Sequence, residues 1–344
     1  MKKISFILFV IFCLPMWVIS QSSPRNVSKA GTAAATFLRI PVGAKAISLG
    51  GAFVSLANDA TSLYWNAAGI AGQNQNELIV VHTDWIADVK FDYAALAIPL
   101  QEFGSLGLSI TSLSMDDMKV RTVEMPEGTG EFFDAGDIAI GLSYARFLSD
   151  RFAIGFTAKY IEQKIWHMKA SAFAVDMGTT FRTDLFSGMV IGAAISNFGT
   201  SMQMSGRDTR LFGRIDDTKL GSNERIPQNI EMDTWALPLA IQIGISTKAY
   251  HDENFSWIVA VDAIHPSDDY ESMNAGTEIS YRDFLFLRSG YSALFLNDSE
   301  GGLSFGVGLM TKSLLTQAII DFDYAFRDMG RLNNVHIFSI AIGF

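Results

Sequence analysis

The sequence predicts an all-β protein, a transmembrane antiparallel β-barrel of about fourteen strands with an N-terminal hatch plugging the lumen. Three observations predict this fold. The chain ends on alternating apolar residues that stop at the aromatic Phe344. Alternation of the same kind recurs in short segments from residue 76 onwards. The lengths of the connections between those segments follow a regular order along the chain.

The last segment has one bulky apolar face. Phe338, Ile340, Ile342 and Phe344 share that face, because successive side chains of a strand point to opposite sides. Such a strand can turn one side to lipid while it pairs with the first strand and closes the sheet.

The N-terminus predicts a cleaved signal peptide at residues 1–20. Lys2 and Lys3 precede an apolar run, and Ser20 provides a small residue for cleavage. A membrane-anchoring helix is the alternative, but the run is short and Pro15 interrupts it. Cleavage would remove Cys13, the only cysteine, which excludes disulfides, thiolate nucleophiles and cysteine-bound metals from the mature chain.

The charge of the chain narrows the range of partners. Without Lys2 and Lys3, 24 basic residues remain against 36 acidic ones, a net charge of -12. This acidity argues against a nucleic-acid partner. Hydrophobic residues make up 49% of the chain and charged residues 18%, which is compatible with many short strands that are each apolar on one side.

The alternating segments give the predicted strands of the barrel, residues 76–344. For example, Ile241, Ile243 and Ile245 interleave with small or polar residues, and Phe322 lies between Asp321 and Asp323. The predicted strands lie near 76–83, 91–100, 104–114, 136–147, 151–165, 171–182, 188–197, 235–248, 254–264, 271–282, 284–294, 301–311, 314–326 and 334–344.

The connections provide an independent check on these strands. If the first strand runs outward from the periplasm, every second connection is a periplasmic turn, and all of those are short. The two long connections, 114–135 and 199–234, both belong to the other class, the extracellular loops. A soluble β-sandwich has no reason to separate its loop lengths in this way.

Residues 21–75 form the predicted N-terminal segment and hatch, with a compact plug near residues 30–72. The Gly50-Gly51 pair allows close passage of the backbone, and Asn58-Asp59 is predicted to cap a short helix over 60–64. The most specific stretch is 43–71. Its distinctive residues are Gly43, Ala44, Lys45, Gly50, Gly51, Ala52, Phe53, Asp59, Tyr64, Trp65, Asn66, Ala68 and Gly69.

This stretch resembles the N-terminal hatch of the PorV/PorQ-like family of outer-membrane proteins, which is similar to the FadL-type transporters. The hatch motif residues carried over from the resemblance are Gly50, Gly51, Asp59, Tyr64, Trp65, Asn66 and Gly69. The sequence departs from the family pattern at Ala67, where the family has a proline.

The resemblance implies a non-catalytic outer-membrane protein. It favours an accessory of type IX protein secretion that binds cargo or translocon at the cell surface. The alternative is a FadL-type channel for long-chain fatty acids or other hydrophobic compounds, with the hatch as gate. The expected partners are outer-membrane lipid together with secretion proteins or cargo, or, for the alternative, a hydrophobic small molecule.

No pattern in the sequence predicts an enzyme, a cofactor or a metal site. Ser339 and His336 lie on opposite faces of one predicted strand, so they cannot pair as nucleophile and base within it. No histidine stands at metal-ligand spacing from another. The five histidines are His82, His167, His251, His265 and His336.

Two further groups of residues have open interpretations. Acidic pairs such as Asp116-Asp117, Asp216-Asp217 and Asp268-Asp269, with Asp298 and Glu300 nearby, are solvated loop charges or Ca²⁺ ligands. Apolar loop residues bind a partner or fold back over the barrel mouth. Those residues are Met115, Met118, Met125, Met202, Met204, Leu211 and Phe212.

Charged residues at inward positions are predicted to face the lumen. Because charges inside a narrow barrel must pair or stay hydrated, we interpret them as ion pairs and contacts to the hatch, with a selectivity lining as the alternative. The main candidates are Asp176, Arg182, Asp262, Glu278, Arg288, Asp321 and Asp323, and Asp137 and Lys159 belong to the same group.

Overall fold

A computed structural model describes residues 29–214, 218, 225–296, 299, 301–312 and 318–344. The predicted signal peptide lies outside the described residues. So do Asp216, Asp217, Asp298 and Glu300 of the acidic groups.

Fourteen antiparallel strands form one closed barrel, as predicted. Each strand pairs with its neighbours in sequence order, and β7 pairs with β8 across the longest connection. The strands are β1 Glu77–Asp84, β2 Lys90–Pro99, β3 Ser105–Ser114, β4 Ala135–Ser149, β5 Phe152–Ile165, β6 Met168–Arg182, β7 Val190–Gly199, β8 Ala240–His251, β9 Phe255–Pro266, β10 Ser272–Tyr281, β11 Leu285–Leu294, β12 Leu303–Lys312, β13 Ile319–Asp328 and β14 Asn334–Gly343.

The last strand closes the barrel against the first. β1 and β14 pair from Glu77 with Gly343 to Asp84 with His336. The backbones of Asn76 and Phe344 then exchange two further hydrogen bonds of 3.1 and 2.9 Å. The terminal alternation therefore lies in the closing strand, and no sheet edge is left open at this seam.

The two faces of the wall differ as the alternation predicts. Phe338, Ile243 and Phe322 point outward, with about half of each side chain exposed. Their neighbours Ser339 and Asp323 point inward and are buried. An apolar exterior around a small-residue and polar interior is the pattern of a barrel that spans a membrane.

One predicted strand begins too early. The fifth residue of the predicted segment 235–248, Leu239, still lies outside the ladder, and β8 begins at Ala240. Pro238 has no amide hydrogen to donate to a neighbouring strand, and Leu237 turns into the core instead. The predicted start of β13 at 314 falls on residues 313–317, outside the described residues.

The barrel has two unlike ends, as the connection lengths predict. The loop end carries connections 115–134 and 200–239, and the turn end carries short turns such as 100–104 and 150–151. Small antiparallel pairs stiffen the long loops. These are Met118–Lys119 with Phe132–Phe133, Met202–Gln203 with Thr234–Trp235, and Arg210–Gly213 with Ile226–Asn229, while Ser205–Gly206 adds to β6.

The segment of residues 30–72, hereafter the hatch, lies inside the barrel. It begins at the loop end, where Ala34 N donates to Ala236 O at 2.9 Å, and it reaches β1 at the turn end. Its short elements are the 3-10 turns Thr36–Arg39 and Ala67–Gly72 and the helices α1 Ala44–Ser48 and α2 Ser62–Trp65. Leu49, Phe53 and Ile70 are almost completely buried, so the core of the molecule is the hatch packed in the lumen.

Helices of the described part are all too short or too polar to cross a membrane. Short 3-10 turns at Ile86–Asp88, Gln101–Phe103, Leu185–Ser187, Arg207–Thr209 and Gly330–Leu332 complete the helical elements outside the hatch.

Candidate functional site

The glycine pair of the hatch motif lies against the loop-end half of the wall. Gly50 and Gly51 both have positive φ, 68° and 79°, a conformation that glycine adopts without strain. A Cβ on Gly50 would lie 2.6 Å from the backbone nitrogen of Tyr291 in β11. The pair therefore provides the close backbone passage that the sequence predicts.

Tyr64 and Trp65 of the motif make contacts with other residues of the hatch. Trp65 Nε1 donates to Val42 O at 2.8 Å, and Tyr64 Oη donates to Leu38 O at 3.1 Å. The two rings meet edge to face with their centroids 5.1 Å apart, and Phe53 packs on the other side of Trp65. These contacts hold the beginning of the hatch against α2.

Asn66 connects the hatch to the wall of the barrel through hydrogen bonds. Its side-chain amide donates to Val54 O in the hatch at 2.9 Å and to Thr179 O in β6 at 3.0 Å. Its Oδ1 accepts from Ala68 N and so caps the turn Ala67–Gly72. Gly69 follows, where a Cβ would lie 2.3 Å from Ala57 O.

Asp59 acts differently from the predicted helix cap. The helix begins at Ser62 rather than at residue 60, and its N-cap residue, Thr61, makes no side-chain capping bond. Asp59 Oδ1 accepts from Thr61 N at 2.9 Å and from the Thr61 hydroxyl, which closes a tight turn before the helix. Its other oxygen pairs with Lys45 Nζ at 3.2 Å.

Glycines of the wall make room for the hatch, a role that the sequence did not reveal. A Cβ on Gly178 of β6 would lie 2.1 Å from Asn66 Oδ1, and one on Gly290 of β11 would lie 2.1 Å from Leu49 C. Both face inward and contact different parts of the hatch. A glycine in an alternating strand is ambiguous by itself, since it also fits any small-residue face.

Two polar side chains of the wall bind the hatch backbone directly. Asp262 Oδ2 in β9 accepts from the amides of Phe53 and Val54 at 2.8 and 2.9 Å. Ser339 Oγ in β14 accepts from Ala44 N at 2.8 Å. Asp262 thus contacts the hatch, as predicted for inward charges, and Ser339 is a hatch anchor.

The largest charged group lies toward the turn end. Arg288 of β11 binds Glu278 of β10 through Nε at 2.6 Å and Asp323 of β13 through Nη1, and all three are buried. Lys45 of the hatch faces this group. Burial disfavours its charge, but the carboxylates of Asp59, Glu278 and Asp323 outweigh that effect, so the pKa of Lys45 is raised.

A void of about 10 Å³ separates the hatch from the wall beside this group. It is lined by Lys45, Asp59, Glu77, Asp321 and Asp323, among others. The volume accommodates about one water molecule. Within the described residues, Asp321 Oδ1 is buried and has no hydrogen-bond partner.

Three of the predicted charges lie apart from this group. Asp176 pairs with Lys159 at 2.5 Å and accepts from Asn197 N at 2.7 Å. Arg182 is exposed at the turn end, where its guanidinium lies over the ring of Phe147. The structure therefore joins Glu278, Arg288 and Asp323 but leaves Asp176, Arg182 and Asp262 apart from them.

Arg39 was missed by the sequence analysis. It binds Asp268 and Asp269 at the loop end at 3.0 and 2.9 Å, so this acidic pair has a cation of the hatch as its partner. Asp116 pairs with Lys90. Among the described residues, no group of three or more histidine, cysteine, aspartate or glutamate side chains could hold a metal ion.

A cavity of about 300 Å³ lies between the hatch and the loop end. Leu38, Ile47, Tyr64 and Trp65 of the hatch form its floor, and residues from seven wall strands form its sides. The wall residues include Lys159, Asn197, Gln242, Ile264, Asn274, Ser292 and Arg327. The lining is therefore mixed, with apolar groups below and polar groups around.

The apolar loop residues divide into two groups. Met202 is buried and contributes to the core, and Met204 packs against it. Met118, Met125, Leu211 and Phe212 are exposed on the two loop hairpins. Met202 and Met204 therefore fold back onto the core, whereas partner binding by the exposed residues stays a prediction.

Similarity to a known protein family covers only part of the chain. A family described as "Uncharacterised protein family (UPF0164)" matches residues 17–155, less than half of the chain. No curated protein matches the sequence.

Solved structures match over most of the chain. The CymD monoaromatic hydrocarbon channel is 12% identical, with 88% of this chain and 97% of that chain covered and a TM-score of 0.51. The toluene transporter TodX of P. putida is 10% identical, with 88% and 96% covered and a TM-score of 0.52. A Pseudomonas aeruginosa FadL homologue is 10% identical, with 89% and 98% covered and a TM-score of 0.49. At the level of fold, the chain is similar to the first two of these barrels.

Proposed function

We propose that this protein is an outer-membrane channel for small hydrophobic compounds, with the hatch as its gate. The observation that carries the proposal is the cavity of about 300 Å³ at the loop end, because the hatch forms its floor. Pockets for small ligands begin at about this volume.

The fold likeness supports the same choice. The two barrels with TM-scores above 0.5 are described as a monoaromatic hydrocarbon channel and a toluene transporter. This favours the hydrophobic-compound alternative over the secretion accessory that the motif resemblance favours. The membrane-facing exterior fits an outer-membrane location, and we propose no catalytic role.

The gate can be tested in reconstituted vesicles. Wild-type protein should admit a fluorescent hydrophobic probe faster than protein-free vesicles do. Deleting 43–69 should raise entry further and also admit a hydrophilic dye, because the lumen then has no floor. Heat-modifiable migration on a gel checks that the deleted variant still folds as a barrel. Equal probe entry with and without wild-type protein would contradict the proposal.

The secretion accessory remains the second candidate, supported by one observation. Met125, Leu211 and Phe212 expose apolar side chains on two hairpins at the loop end, a surface suited to a protein partner. If this function holds, shortening 202–228 should abolish co-purification with secreted cargo and leave probe entry unchanged. Retention of the same cargo by the shortened variant would remove this candidate.

A further inference from the structure

Three cations line the cavity at the loop end, and they are not equivalent. Arg39 is bound to Asp268 and Asp269, and Lys159 is bound to Asp176. Arg327 of β13 is the third. Within the described residues, no carboxylate lies within ion-pair distance of Arg327.

The hydrogen bonds of Arg327 are also incomplete. Its Nη2 donates to Ser292 Oγ at 3.4 Å, a long contact. Its Nε is buried and has no partner among the described residues. A guanidinium has five N–H donors, and a buried donor without an acceptor is unfavourable. Nε itself is out of reach of the cavity, but the residue as a whole is only partly buried and lines the cavity, so a ligand there can accept from its other N–H donors.

We propose that the cavity binds a small organic carboxylate and that Arg327 is the residue that selects its anionic group. This inference rests on the proposed function, since it names the class of compound that the cavity receives. A planar guanidinium matches a carboxylate through two parallel hydrogen bonds. Ser292 and Asn274 lie in the same lining and supply further polar groups.

The floor of the cavity and its size define the rest of the ligand. Leu38, Ile47 and Trp65 offer apolar surface below the polar wall, which suits an aromatic or short aliphatic body. A volume of about 300 Å³ is at the small end of ligand pockets. The occupant is therefore a compact acid with an apolar body, smaller than a long-chain lipid.

The test compares three probes of nearly the same shape: benzoate, benzamide and toluene. Binding to the full-length protein in detergent is measured by calorimetry or by ligand-observed NMR. Wild-type protein should bind benzoate about tenfold more tightly than either neutral probe, since a charge-assisted hydrogen bond contributes at least that factor. Arg327→Gln should remove this preference, so that benzoate binds this variant no more tightly than benzamide does.

Two variants make the result specific. Arg327→Lys keeps the charge but loses the two-pronged geometry, so it should retain part of the preference. Arg151→Gln removes an exposed arginine at the turn end, where it pairs with Asp184, and should bind all probes as wild type does. Heat-modifiable migration checks that each variant is folded.

The contrary outcomes are equally definite. If benzoate does not bind, binds no better than benzamide, or binds Arg327→Gln as it binds wild type, the inference is wrong. Failure of probe entry into vesicles would instead overturn the proposed channel, because the binding comparison involves no transport.

Discussion

The hatch has two unlike faces. Toward the loop end it borders a cavity of about 300 Å³ whose lining includes a cation without a carboxylate partner among the described residues. Toward the turn end it borders a void of about 10 Å³ beside the buried group of Glu278, Arg288 and Asp323. The first face has room for a ligand and a cation without a carboxylate partner, whereas the second has room for about one water molecule and its cations, Arg288 and Lys45, are paired with carboxylates. Under the proposed function, the loop side of the lumen receives the compound and the turn side seals the passage.

Replacing Arg288 should have the largest effect on this arrangement. Arg288→Met leaves Glu278 and Asp323 buried without their cation, which we expect to lower the free energy of unfolding by about 3–5 kcal/mol. The shift of the urea unfolding midpoint in detergent measures this loss. The matched control Arg151→Met breaks an exposed pair with Asp184 and should change the midpoint little. Equal shifts of the urea midpoint for both variants would mean that the buried group at the turn end contributes no more to stability than an exposed ion pair does.

A smaller loss is expected where the wall makes room for the hatch. In Gly178→Ala the new Cβ would lie 2.1 Å from Asn66 Oδ1, so the hatch must shift or lose its bond to Thr179 O. Overpacking of this kind costs about 1–3 kcal/mol, and limited proteolysis should cut the hatch faster. Gly136→Ala, whose Cβ would lie 3.3 Å from its nearest neighbour, Leu113 O, is the control. If limited proteolysis cuts the hatch equally slowly in both variants, the hatch does not fit tightly against Gly178.

The smallest effect is expected at the loop end. The side chain of Arg39 is 37% exposed, so water can replace part of what Asp268 and Asp269 provide. Arg39→Gln should destabilise the protein by only about 1 kcal/mol and mainly speed amide hydrogen exchange in residues 36–40. If this variant instead destabilised the protein as strongly as Arg288→Met, the loop side would hold the hatch as firmly as the turn side does.

Local patterns explain what the sequence could predict. The period-two alternation around Ile243 and Phe322 depends only on neighbouring residues, so strand number and facing followed from it. This pattern misleads at the start of β8. Alternation extends back to Leu237, but the strand begins only at Ala240, after Pro238, which has no amide hydrogen to donate. Alternation of apolar and polar residues indicates an extended backbone, whereas pairing into a sheet also requires backbone hydrogen bonds to a neighbouring strand.

The candidate site was less predictable because its contacts are distant in sequence. Arg39 meets Asp268 across 229 positions, and Asp262 meets Phe53 across 209. Inward position identified Arg288 and Asp323 as lumen charges. The strand register and the path of the hatch then decided that these two pair, whereas Asp262 binds hatch backbone.

The proposed channel requires the hatch to move away from the wall for a compound to pass. The sequence has no cysteine other than Cys13, so an engineered pair can lock the hatch cleanly. Ala44 and Ser339 are in hydrogen-bond contact, and the double variant Ala44→Cys, Ser339→Cys places one thiol on each side of that contact. Each single variant serves as a control, and a gel shift on oxidation verifies the bond. Entry of the hydrophobic probe into vesicles should stop when the pair is oxidised and return with reductant, and undiminished entry through the oxidised protein would contradict the account.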